Sequence, residues 1–492
     1  MAGTKVLTEH VHDTLARHLL VDGYSFVIDL EASHGSFIVD RVSGREYLDF
    51  FSFFASNPLG FNHPRMLEGD VQERLRRAAT TRIANSDVYT TYLAEFVATL
   101  SKSAAPPELP HYFFIDGGAL AVENGMKVAF DWKVQKNLAA GRFRPHGPEL
   151  GTKILHFEGA FHGRSGYTLS VTNTDPVKTK YFPKFDWPRV AAPFIHFPLD
   201  ARELEQVALA ERRALEAIEA AFDEHAGDVA AILIEPIQGE GGDRHFRSEF
   251  LRALRRIADE REALLIFDEV QTGVGLTGRW WAYQHMDVQP DVLCFAKKMQ
   301  VGGVFVSTRV DDVPENVFAE PSRLSSTWGG SLVDMVRCTR ILEVIQEERL
   351  LDNAAARGVE LLAGLHRLET RFEGVVTAAR GLGLMCAVDL ASRALRDAVI
   401  EQCYEGGMIV LPCGERSVRF RPSLTVRAEE VEECVRRLGG AVDIALRKTG
   451  VAPSGSGLRP SVAPSRAWAP ESPTLPAYSS DDSTKTGSTK TG

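Results

Sequence analysis

Short apolar runs alternate with longer amphipathic stretches along the middle of the chain, and this alternation predicts the fold class. The apolar runs have the length of buried strands and lie at residues 112–115, 153–157, 230–235, 264–267, 292–296 and 304–307. Stretches with helical periodicity lie at 116–136, 202–225 and 248–260, with Ser248 as the predicted N-cap of the last. Because apolar strands that alternate with helices are typical of parallel sheets, we predict an α/β fold with a large, doubly wound and mostly parallel sheet.

The pattern changes on both sides of this region. The earlier part predicts a helix at 1–22 and short strands at 26–28, 36–39 and 47–50. The later part predicts a long helical stretch at 332–371, strands at 385–389, 408–411 and 418–420, and a helix at 428–447. We therefore predict a large α/β domain at 66–330, a smaller α+β domain at 331–448, and an N-terminal segment, 1–65, that packs with the smaller domain.

Residues 449–492 differ in composition from the rest of the chain. They are rich in Pro, Ser, Thr and Gly and contain a duplicated STKTG sequence. Such a segment cannot bury enough apolar surface to offset the entropy of ordering it. We predict that this tail is disordered and has no catalytic role.

Composition and charge narrow the function classes. The 492 residues carry a formal net charge of −10, which argues against nucleic acid or an anionic membrane surface as the main partner. No apolar run approaches the roughly 20 residues that span a membrane, and the N-terminus lacks the apolar core of a signal peptide. The six cysteines lie in mostly apolar contexts without CxxC or zinc spacing. We therefore predict reduced thiols, no metal site and a cytoplasmic protein.

The segment DVLCFAKKMQVGG, residues 291–303, carries the first candidate chemistry. Its apolar strand ends at Lys297 and Lys298, and a Gly-Gly turn follows. Burial of an uncompensated ammonium is costly, so such a site lowers the pKa of a lysine and frees a nucleophilic amine. This is the chemistry of a lysine that forms a Schiff base. From this segment alone, a solvated strand end is the alternative.

Asp268, 29 residues before Lys297, is a candidate partner. It ends a predicted buried strand, and α/β proteins bind ligands at the carboxyl ends of their strands. Pyridoxal 5′-phosphate needs both a lysine amine and a carboxylate that keeps the pyridine nitrogen protonated. A helix cap or an ion pair is the alternative for Asp268.

Two further segments fit the same cofactor. The turn Gly117-Gly118-Ala119 follows a predicted strand and opens a helix, where backbone N–H groups can bind a phosphate. Phe161, in AFHGRSGYT, offers an apolar face for the cofactor ring. An ordinary tight turn and a core phenylalanine are the respective alternatives.

A glycine pattern late in the predicted sheet invites a different interpretation. Gly273, Gly275 and Gly278 satisfy G-x-G-x-x-G, the pattern of dinucleotide-binding turns. However, that fingerprint belongs at the first strand–helix turn, with an acidic residue about 20 positions later. Here the glycines follow an acidic pair and precede RWWAYQH, which predicts a turn or short helix. We therefore reject a dinucleotide oxidoreductase.

Taken together, these segments resemble the class III pyridoxal-phosphate-dependent aminotransferases, a family of fold type I. The resemblance covers roughly residues 25–445 and rests on motifs in matching order: FFIDGGALAVEN, FHGRSGYTLS, EPIQGEGG, IFDEVQTGVGLTGRW, FAKK, STWGG and VRFRPSLTV. It implies a large cofactor-binding domain and a smaller α+β domain. The segments EGGDRHFR, PSRLSSTWGG and GLMCAVDL are similar to the branch of the family that transfers the ε-amino group of L-lysine.

The resemblance also implies a role for each matching residue. The lysine that bonds the cofactor would be Lys297, with Lys298 as the runner-up. The other implied cofactor contacts are Asp268 at the pyridine nitrogen, Gln271 at the phenolic oxygen, Gly118 and Ala119 at the phosphate, Phe161 on the ring, and Thr327 at the phosphate of the neighbouring subunit. Because Thr327 would act across a subunit boundary, the resemblance implies a homodimer with shared active sites.

Three more residues match the positions that bind the substrates in this family. Arg164 would hold the far carboxylate of both L-lysine and 2-oxoglutarate. Arg419 would bind the near carboxylate of 2-oxoglutarate, and Glu240 would pair with Arg419 when the uncharged chain of lysine is present. Since a removable partner avoids an unpaired buried guanidinium, such a pair serves an enzyme with two unlike substrates. A structural salt bridge is the alternative.

The sequence motifs are also compatible with other functions. An ornithine δ-aminotransferase or a 4-aminobutyrate aminotransferase of the same class would carry nearly the same motifs. A non-catalytic regulatory module that binds pyridoxal phosphate is a more remote alternative, since no DNA-binding segment or basic patch supports it. The expected partners are therefore small molecules, without nucleic acid or membrane.

Overall fold

The computed structural model describes residues 5–144 and 149–449, which belong to one compact unit. The predicted tail at 449–492 lies outside the described residues except for Thr449, where the last helix ends. The predicted helix at 1–22 begins only at a 3₁₀ turn, Thr8–His10, and continues as one short helix.

The strands are numbered in chain order. They are β1 (Phe37–Val39), β2 (Glu46–Asp49), β3 (His111–Ile115), β4 (Lys153–Phe157), β5 (Arg189–Val190), β6 (Val229–Ile234), β7 (Ile237–Gln238), β8 (Arg244–His245), β9 (Leu264–Asp268), β10 (Val292–Phe295), β11 (Gly302–Val306), β12 (Val376–Leu382), β13 (Met385–Leu390), β14 (Met408–Ile409), β15 (Leu411–Cys413) and β16 (Ser417–Phe420).

The helices follow the same order. They are α1 (Val11–Ala16), α2 (Ser52–Ala55), α3 (Gly69–Thr80), α4 (Thr91–Lys102), α5 (Gly118–Ala139), α6 (Gly166–Val171), α7 (Ala201–Glu224), α8 (Ser248–Glu260), α9 (Leu332–Glu347), α10 (Leu350–Arg371), α11 (Arg393–Glu405) and α12 (Ala428–Thr449). Further 3₁₀ turns lie at Pro64–Met66, Pro176–Lys178, Ala282–His285, Lys297–Met299 and Thr308–Asp312.

A large sheet confirms the predicted doubly wound α/β architecture. Among the described residues its strand order is β3-β11-β10-β9-β6-β4-β5, and only β11 runs antiparallel to its neighbours. Alternate residues of β9 pack on opposite sides. Ile266 lies in the apolar cluster with α5, whereas Phe267 lies in the cluster with α8. Burial on both faces explains why these strands read as unbroken apolar runs.

Strands outside the large sheet form smaller sheets, mostly from the later part of the chain. Strands β12, β13, β16 and β15 form an antiparallel sheet, and β14 pairs in parallel with β2, so the N-terminal strands join the later chain. The four-part division of the chain predicted from sequence stays a prediction.

Several local predictions were wrong, each for an identifiable reason. The stretch at 332–371 is two helices, because Arg349 adopts a left-handed backbone (φ 53°) between them. Ser248 starts α8, but the N-cap is Arg247 and no side chain caps the helix. Residues 26–28 form only an isolated bridge from Ile28 to Asp40, and 408–411 divides between β14 and β15.

Across 5–144 and 149–449, no helix is long and apolar enough to cross a membrane, and no cluster of His, Cys, Asp and Glu side chains is arranged to hold a metal ion. All six cysteines are buried free thiols, as predicted.

Candidate active site

Two neighbouring strand ends bring the predicted aspartate and lysine together. Strands β9 and β10 run parallel, with Cys294 opposite Asp268, so the chain leaves β10 beside that carboxylate. It then enters a 3₁₀ turn at Lys297, whose φ is 45°. A non-glycine residue in this left-handed region is strained, and such strain concentrates at functional sites.

The two tandem lysines have different environments. The amine of Lys298 donates hydrogen bonds to the backbone carbonyls of Gln271 (2.9 Å) and Ala55 (3.1 Å), and the side chain is 2 % exposed. Lys297 is more accessible, and its amine forms no hydrogen bond with any described residue. The geometry therefore leaves Lys297 as the lysine whose amine is available for chemistry.

A left-handed turn, α2, supports Lys298. Its four residues, Ser52–Ala55, all have positive φ, between 35° and 66°. The Asp49 carboxylate accepts hydrogen bonds from the N–H groups of Phe51 (2.9 Å) and Ser52 (2.7 Å), and Lys298 bonds the last carbonyl of the turn. Lys298 is thus part of the scaffold that holds a strained backbone in place.

The electrostatic surroundings of Lys297 free its amine near neutral pH. Burial of the ammonium lowers the pKa of Lys297 to about 8, even though the negative charge of Asp268 opposes this shift. Arg419 adds to the lowering through repulsion. A lysine with this pKa has a substantial neutral, nucleophilic fraction at pH 7–8, as a Schiff-base lysine requires.

This pKa predicts how Lys297 reacts in the cofactor-free protein. Because the neutral amine is the nucleophile, acylation of Lys297 should rise as the pH increases through about 8 and level off above it. N-acetyl-lysine amide, the reference, should rise through about pH 10.4. Peptide mass spectrometry after brief labelling measures both rates. A Lys297 profile that coincides with the reference contradicts the prediction.

Asp268 lies in a buried hydrogen-bond pair that the sequence did not reveal. One carboxylate oxygen contacts Nδ1 of His162 at 2.7 Å, and the other accepts the N–H of Val270 at 3.0 Å. Asp268 is 5 % exposed, and Nε2 of His162 is buried without a hydrogen-bond partner among the described residues. These contacts fix the Asp268 carboxylate in one orientation at the end of β9.

The N-terminus of α5 has the features of an anion site. Its N-cap is Gly117 (φ 86°), no side chain caps the helix, and no acidic residue lies in its first turn. A Cβ on Gly118 would lie 2.8 Å from Val270 and 3.5 Å from Ala296, which places this turn against the ends of β9 and β10. Uncapped N–H groups with the positive end of the helix dipole favour a phosphate here.

The FHGR segment packs against the same turn. A Cβ on Gly163 would lie 2.5 Å from that of Ala119, so only glycine permits this approach. The N–H of Phe161 donates to the Glu235 carboxylate at 3.0 Å, and burial raises the pKa of Glu235 to about 7. These contacts fix the backbone of Phe161 beside Glu235, the residue that follows β6.

The predicted gate residues are in contact. The Arg419 guanidinium donates to Oε2 of Glu240 at 2.6 Å, with the arginine side chain 3 % and the glutamate 28 % exposed. Burial raises the pKa of Glu240, but the Arg419 charge and a hydrogen bond from Lys178 outweigh it and hold that pKa below its ordinary value. Lys178 contacts Oε1 at 2.7 Å, so the carboxylate bridges two cations.

Gln271 is oriented by a second arginine. Its Oε1 accepts from Nε (3.0 Å) and a terminal nitrogen (2.9 Å) of Arg421, and Arg419 lies 3.5 Å away. Arg421 in turn pairs with Asp243, and both side chains are fully buried. With its oxygen engaged, the amide nitrogen of Gln271 is the group left to donate to a ligand.

Two predicted residues lie apart from this cluster. Arg164 is exposed, and no contact in the described part of the chain joins it to Glu240 or Arg419. Thr327 is also exposed, and its carbonyl lies 3.5 Å from the Ser86 hydroxyl. Their predicted roles, one toward a substrate and one toward a neighbouring subunit, are not visible within a single chain.

Sequence reasoning missed several supporting residues. Arg421 had a usable signal, because it lies two positions after Arg419, one residue beyond the end of β16, and alternate residues of an extended segment share a face. His162 and Lys178 had none, because their partners lie 106 and 62 residues away in sequence. The glycine pattern is followed only by a short 3₁₀ turn, Ala282–His285, as the prediction of a turn or short helix expected, and Gly278 packs against Ala355.

The residues present fit pyridoxal phosphate group by group. An unbonded lysine amine suits its aldehyde, a buried carboxylate suits its pyridine nitrogen, and an uncapped helix N-terminus suits its phosphate. The glutamine amide nitrogen suits its phenolic oxygen, and the Phe161 ring offers an apolar face.

Comparison with known proteins agrees with this geometry. The family model for class III aminotransferases matches residues 21–442. The L-lysine-epsilon aminotransferase of Mycobacterium tuberculosis is 51% identical over 445 residues, which cover 90% of this chain and 98% of that protein. The human mitochondrial 4-aminobutyrate aminotransferase is 33% identical over 421 residues, 82% of each chain.

A solved structure extends the agreement to three dimensions. The lysine aminotransferase of M. tuberculosis, in its internal aldimine form, superposes with a TM-score of 0.87 at 51% identity, over 89% of this chain and 100% of that one. With the family model covering most of its length, the chain belongs to the class III aminotransferases, enzymes that depend on pyridoxal 5′-phosphate.

Proposed function

We propose that this enzyme is an L-lysine 6-transaminase, which transfers the ε-amino group of L-lysine to 2-oxoglutarate and yields 2-aminoadipate 6-semialdehyde and L-glutamate. The observation that carries the proposal is the Glu240–Arg419 pair, because a buried arginine with a removable partner suits two substrates of unlike charge. Identity of 51% to a lysine enzyme, against 33% to a 4-aminobutyrate enzyme, supports lysine as the donor.

The chemistry at the reacting carbon belongs to Lys297 and Asp268. Bound pyridoxal phosphate supplies an electron sink for the carbon that loses its proton. Lys297 would hold the cofactor at rest, and its amine, once free, would take the proton from the ε-carbon and pass it to the cofactor, as general base and then acid. Asp268, oriented by His162, would place its carboxylate at the pyridine nitrogen and favour the protonated form of that nitrogen.

The remaining residues bind and orient. Gly118 and Ala119 would offer backbone N–H groups to the phosphate, Gln271 would donate to the phenolic oxygen, and Phe161 would cover the ring. Arg164 takes the carboxylate far from the reacting carbon in both substrates, through a bidentate pair. Arg419 takes the near carboxylate of 2-oxoglutarate and is neutralised by Glu240 when lysine is bound.

We extend the proposal to the setting of the enzyme. A homodimer would let Thr327 of each subunit reach the phosphate of its neighbour, and the exposure of Thr327 is compatible with that role. A cytoplasmic location agrees with six free buried thiols. Small molecules are the proposed partners, because a net charge of −10 disfavours nucleic acid.

Product analysis tests the reaction. Purified enzyme with L-lysine and 2-oxoglutarate should produce glutamate and a semialdehyde that cyclises and reacts with o-aminobenzaldehyde, in equal amounts. Glutamate formed instead with an α-keto acid, by loss of the α-amino group, would refute the regiochemistry. No turnover with any amine donor would favour a non-catalytic module.

Glu240→Gln should separate the two half-reactions. The neutral amide leaves the Arg419 guanidinium unpaired beside the uncharged chain of lysine, so we expect the lysine half-reaction to slow by roughly 10- to 100-fold. The 2-oxoglutarate half-reaction, which uses the freed arginine, should change much less. Stopped-flow absorbance measures each half separately, with Glu205→Gln on the exposed face of α7 as the matched control. Equal slowing of both halves would contradict the gate.

A further inference from the structure

A second cation at Glu240 distinguishes this gate from a simple ion pair. Lys178 Nζ lies 2.7 Å from Oε1 of Glu240, while Arg419 occupies Oε2 at 2.6 Å. Lys178 is 19% exposed and Arg419 3% exposed, so the carboxylate joins a buried cation to one nearer the solvent. The two oxygens thus have separate partners.

Lys178 is held in position by local structure. It ends the 3₁₀ turn Pro176–Lys178, which the Asp175 side chain caps by accepting the Val177 N–H at 2.9 Å. Its ammonium lies 5.2 Å from the centroid of the Phe161 ring and 3.4 Å from the Thr174 hydroxyl. These contacts keep the positive charge at the edge of the active site rather than in solvent.

The backbone around Glu240 is fixed independently of its side chain. The Glu240 carbonyl accepts the N–H of Gly414 at 2.9 Å. Arg380 donates to the carbonyls of Gly242 (2.6 Å) and Asp243 (2.9 Å). Release of Arg419 therefore requires rotation of the Glu240 side chain, and Lys178 is the cation within reach of that rotation.

We infer that Lys178 is a positioning residue for the gate: it retains the Glu240 carboxylate when that side chain rotates away from Arg419 and leaves Arg419 free to bind the near carboxylate of 2-oxoglutarate. The inference rests on the proposed function of the Glu240–Arg419 pair and adds a specificity-determining residue to it. Lys178 acts through Glu240 and needs no contact with either substrate.

The charge balance explains why Lys178 matters in one state more than in the other. With the gate closed, Arg419 and Lys178 both contact the Glu240 carboxylate, so loss of Lys178 still leaves that carboxylate paired with Arg419. With the gate open, Arg419 is occupied by the keto acid, and Glu240 would be a half-buried carboxylate close to a dianion. Lys178 compensates that charge, so it favours binding of 2-oxoglutarate over binding of lysine.

Lys178→Met removes the charge and keeps the length of the side chain. We expect the KM for 2-oxoglutarate to rise about tenfold, while the rate and KM of the lysine half-reaction change less than about twofold. The separate variant Lys178→Arg keeps the positive charge, so it should have the wild-type KM for 2-oxoglutarate. The control, Lys180→Met, removes an exposed charge two residues away and should leave both half-reactions unchanged. Loss of activity in both halves of Lys178→Met would indicate a structural role and overturn the inference.

A double-mutant cycle separates action through Glu240 from direct attraction of the keto acid. In a Glu240→Gln background, Lys178→Met should no longer alter the KM for 2-oxoglutarate. Calorimetric binding of glutarate, an unreactive dicarboxylate, should show the same pattern without turnover. An undiminished effect in that background would mean that Lys178 attracts the substrate itself, and would overturn the inference. If wild-type enzyme does not transaminate lysine, the proposed function fails; if it does and Lys178→Met binds 2-oxoglutarate normally, only the inference fails.

Discussion

Replacing Lys297 by alanine is expected to reduce kcat for transamination by about 10³-fold or more, since it removes the general base and acid of the reaction. The amine of Lys297 makes no hydrogen bond with any described residue, and its pKa is lowered to about 8, chiefly by burial. The variant should fold and still bind the cofactor through its phosphate and ring contacts. Steady-state kinetics and gel filtration of the loaded protein measure the two properties.

Lys298→Met is the matched control for this prediction. It leaves the carbonyls of Ala55 and Gln271 without their buried donor, at a cost of about 1–3 kcal/mol each in the free energy of unfolding. Borohydride reduction of the loaded variant should still attach the cofactor to Lys297, as in the wild type, with the peptide identified by mass spectrometry. Attachment to Lys298 in the wild-type enzyme would contradict the assignment.

Asp268→Asn should lower kcat by about 10³-fold while leaving the fold intact, because an amide cannot keep the pyridine nitrogen protonated. The change is nearly isosteric, and an asparagine oxygen can still accept the Val270 N–H. His162 would lose its carboxylate partner, so the loss combines two effects: a weaker electron sink and a less firmly oriented side chain. Half-reaction rates with lysine measure the combined loss.

The matched control for Asp268→Asn is Asp287→Asn, at an exposed position with φ 51° where asparagine is well tolerated. That variant should have wild-type kinetics. A second comparison, His162→Gln, should slow the reaction less than Asp268→Asn, since the aspartate itself remains. If Asp268→Asn retained more than a tenth of the wild-type rate, a role at the pyridine nitrogen would be refuted.

The sheet was the part of the fold most accessible from sequence. Its central strands are buried on both faces, so each reads as an unbroken apolar run, and the predicted strand at 153–157 matches β4 residue for residue. Elements stabilised by long-range contacts were harder. Strand β12 lacks the apolar pattern typical of a buried strand, because one of its positions is taken by Arg380. That side chain donates a hydrogen bond to the carbonyl of Gly242, in the loop that also contains Glu240.

The same distinction between local pattern and long-range contacts applies to the active site. Asp268 and Lys297 lie at the ends of adjacent strands, and strands that follow one another in sequence are usually neighbours in the sheet, so their proximity was predictable. The choice of Lys297 over Lys298 came from the family resemblance and not from local pattern, because the environment of Lys298 depends on α2, a left-handed turn more than 240 residues earlier whose carbonyl accepts a hydrogen bond from the Lys298 amine. Lys178 likewise becomes meaningful only when the fold brings it to Glu240.

The most direct test of the account is a comparison of amine donors in the first half-reaction. Enzyme loaded with pyridoxal phosphate is mixed with L-lysine, L-ornithine or 4-aminobutyrate, and the loss of visible absorbance is followed by stopped flow. We expect lysine to give the fastest loss, by about tenfold or more over either alternative, since ornithine is one methylene shorter and 4-aminobutyrate two, and a misfit of one methylene already costs about 1–3 kcal/mol. Ornithine or 4-aminobutyrate reacting faster than lysine would contradict the proposed function.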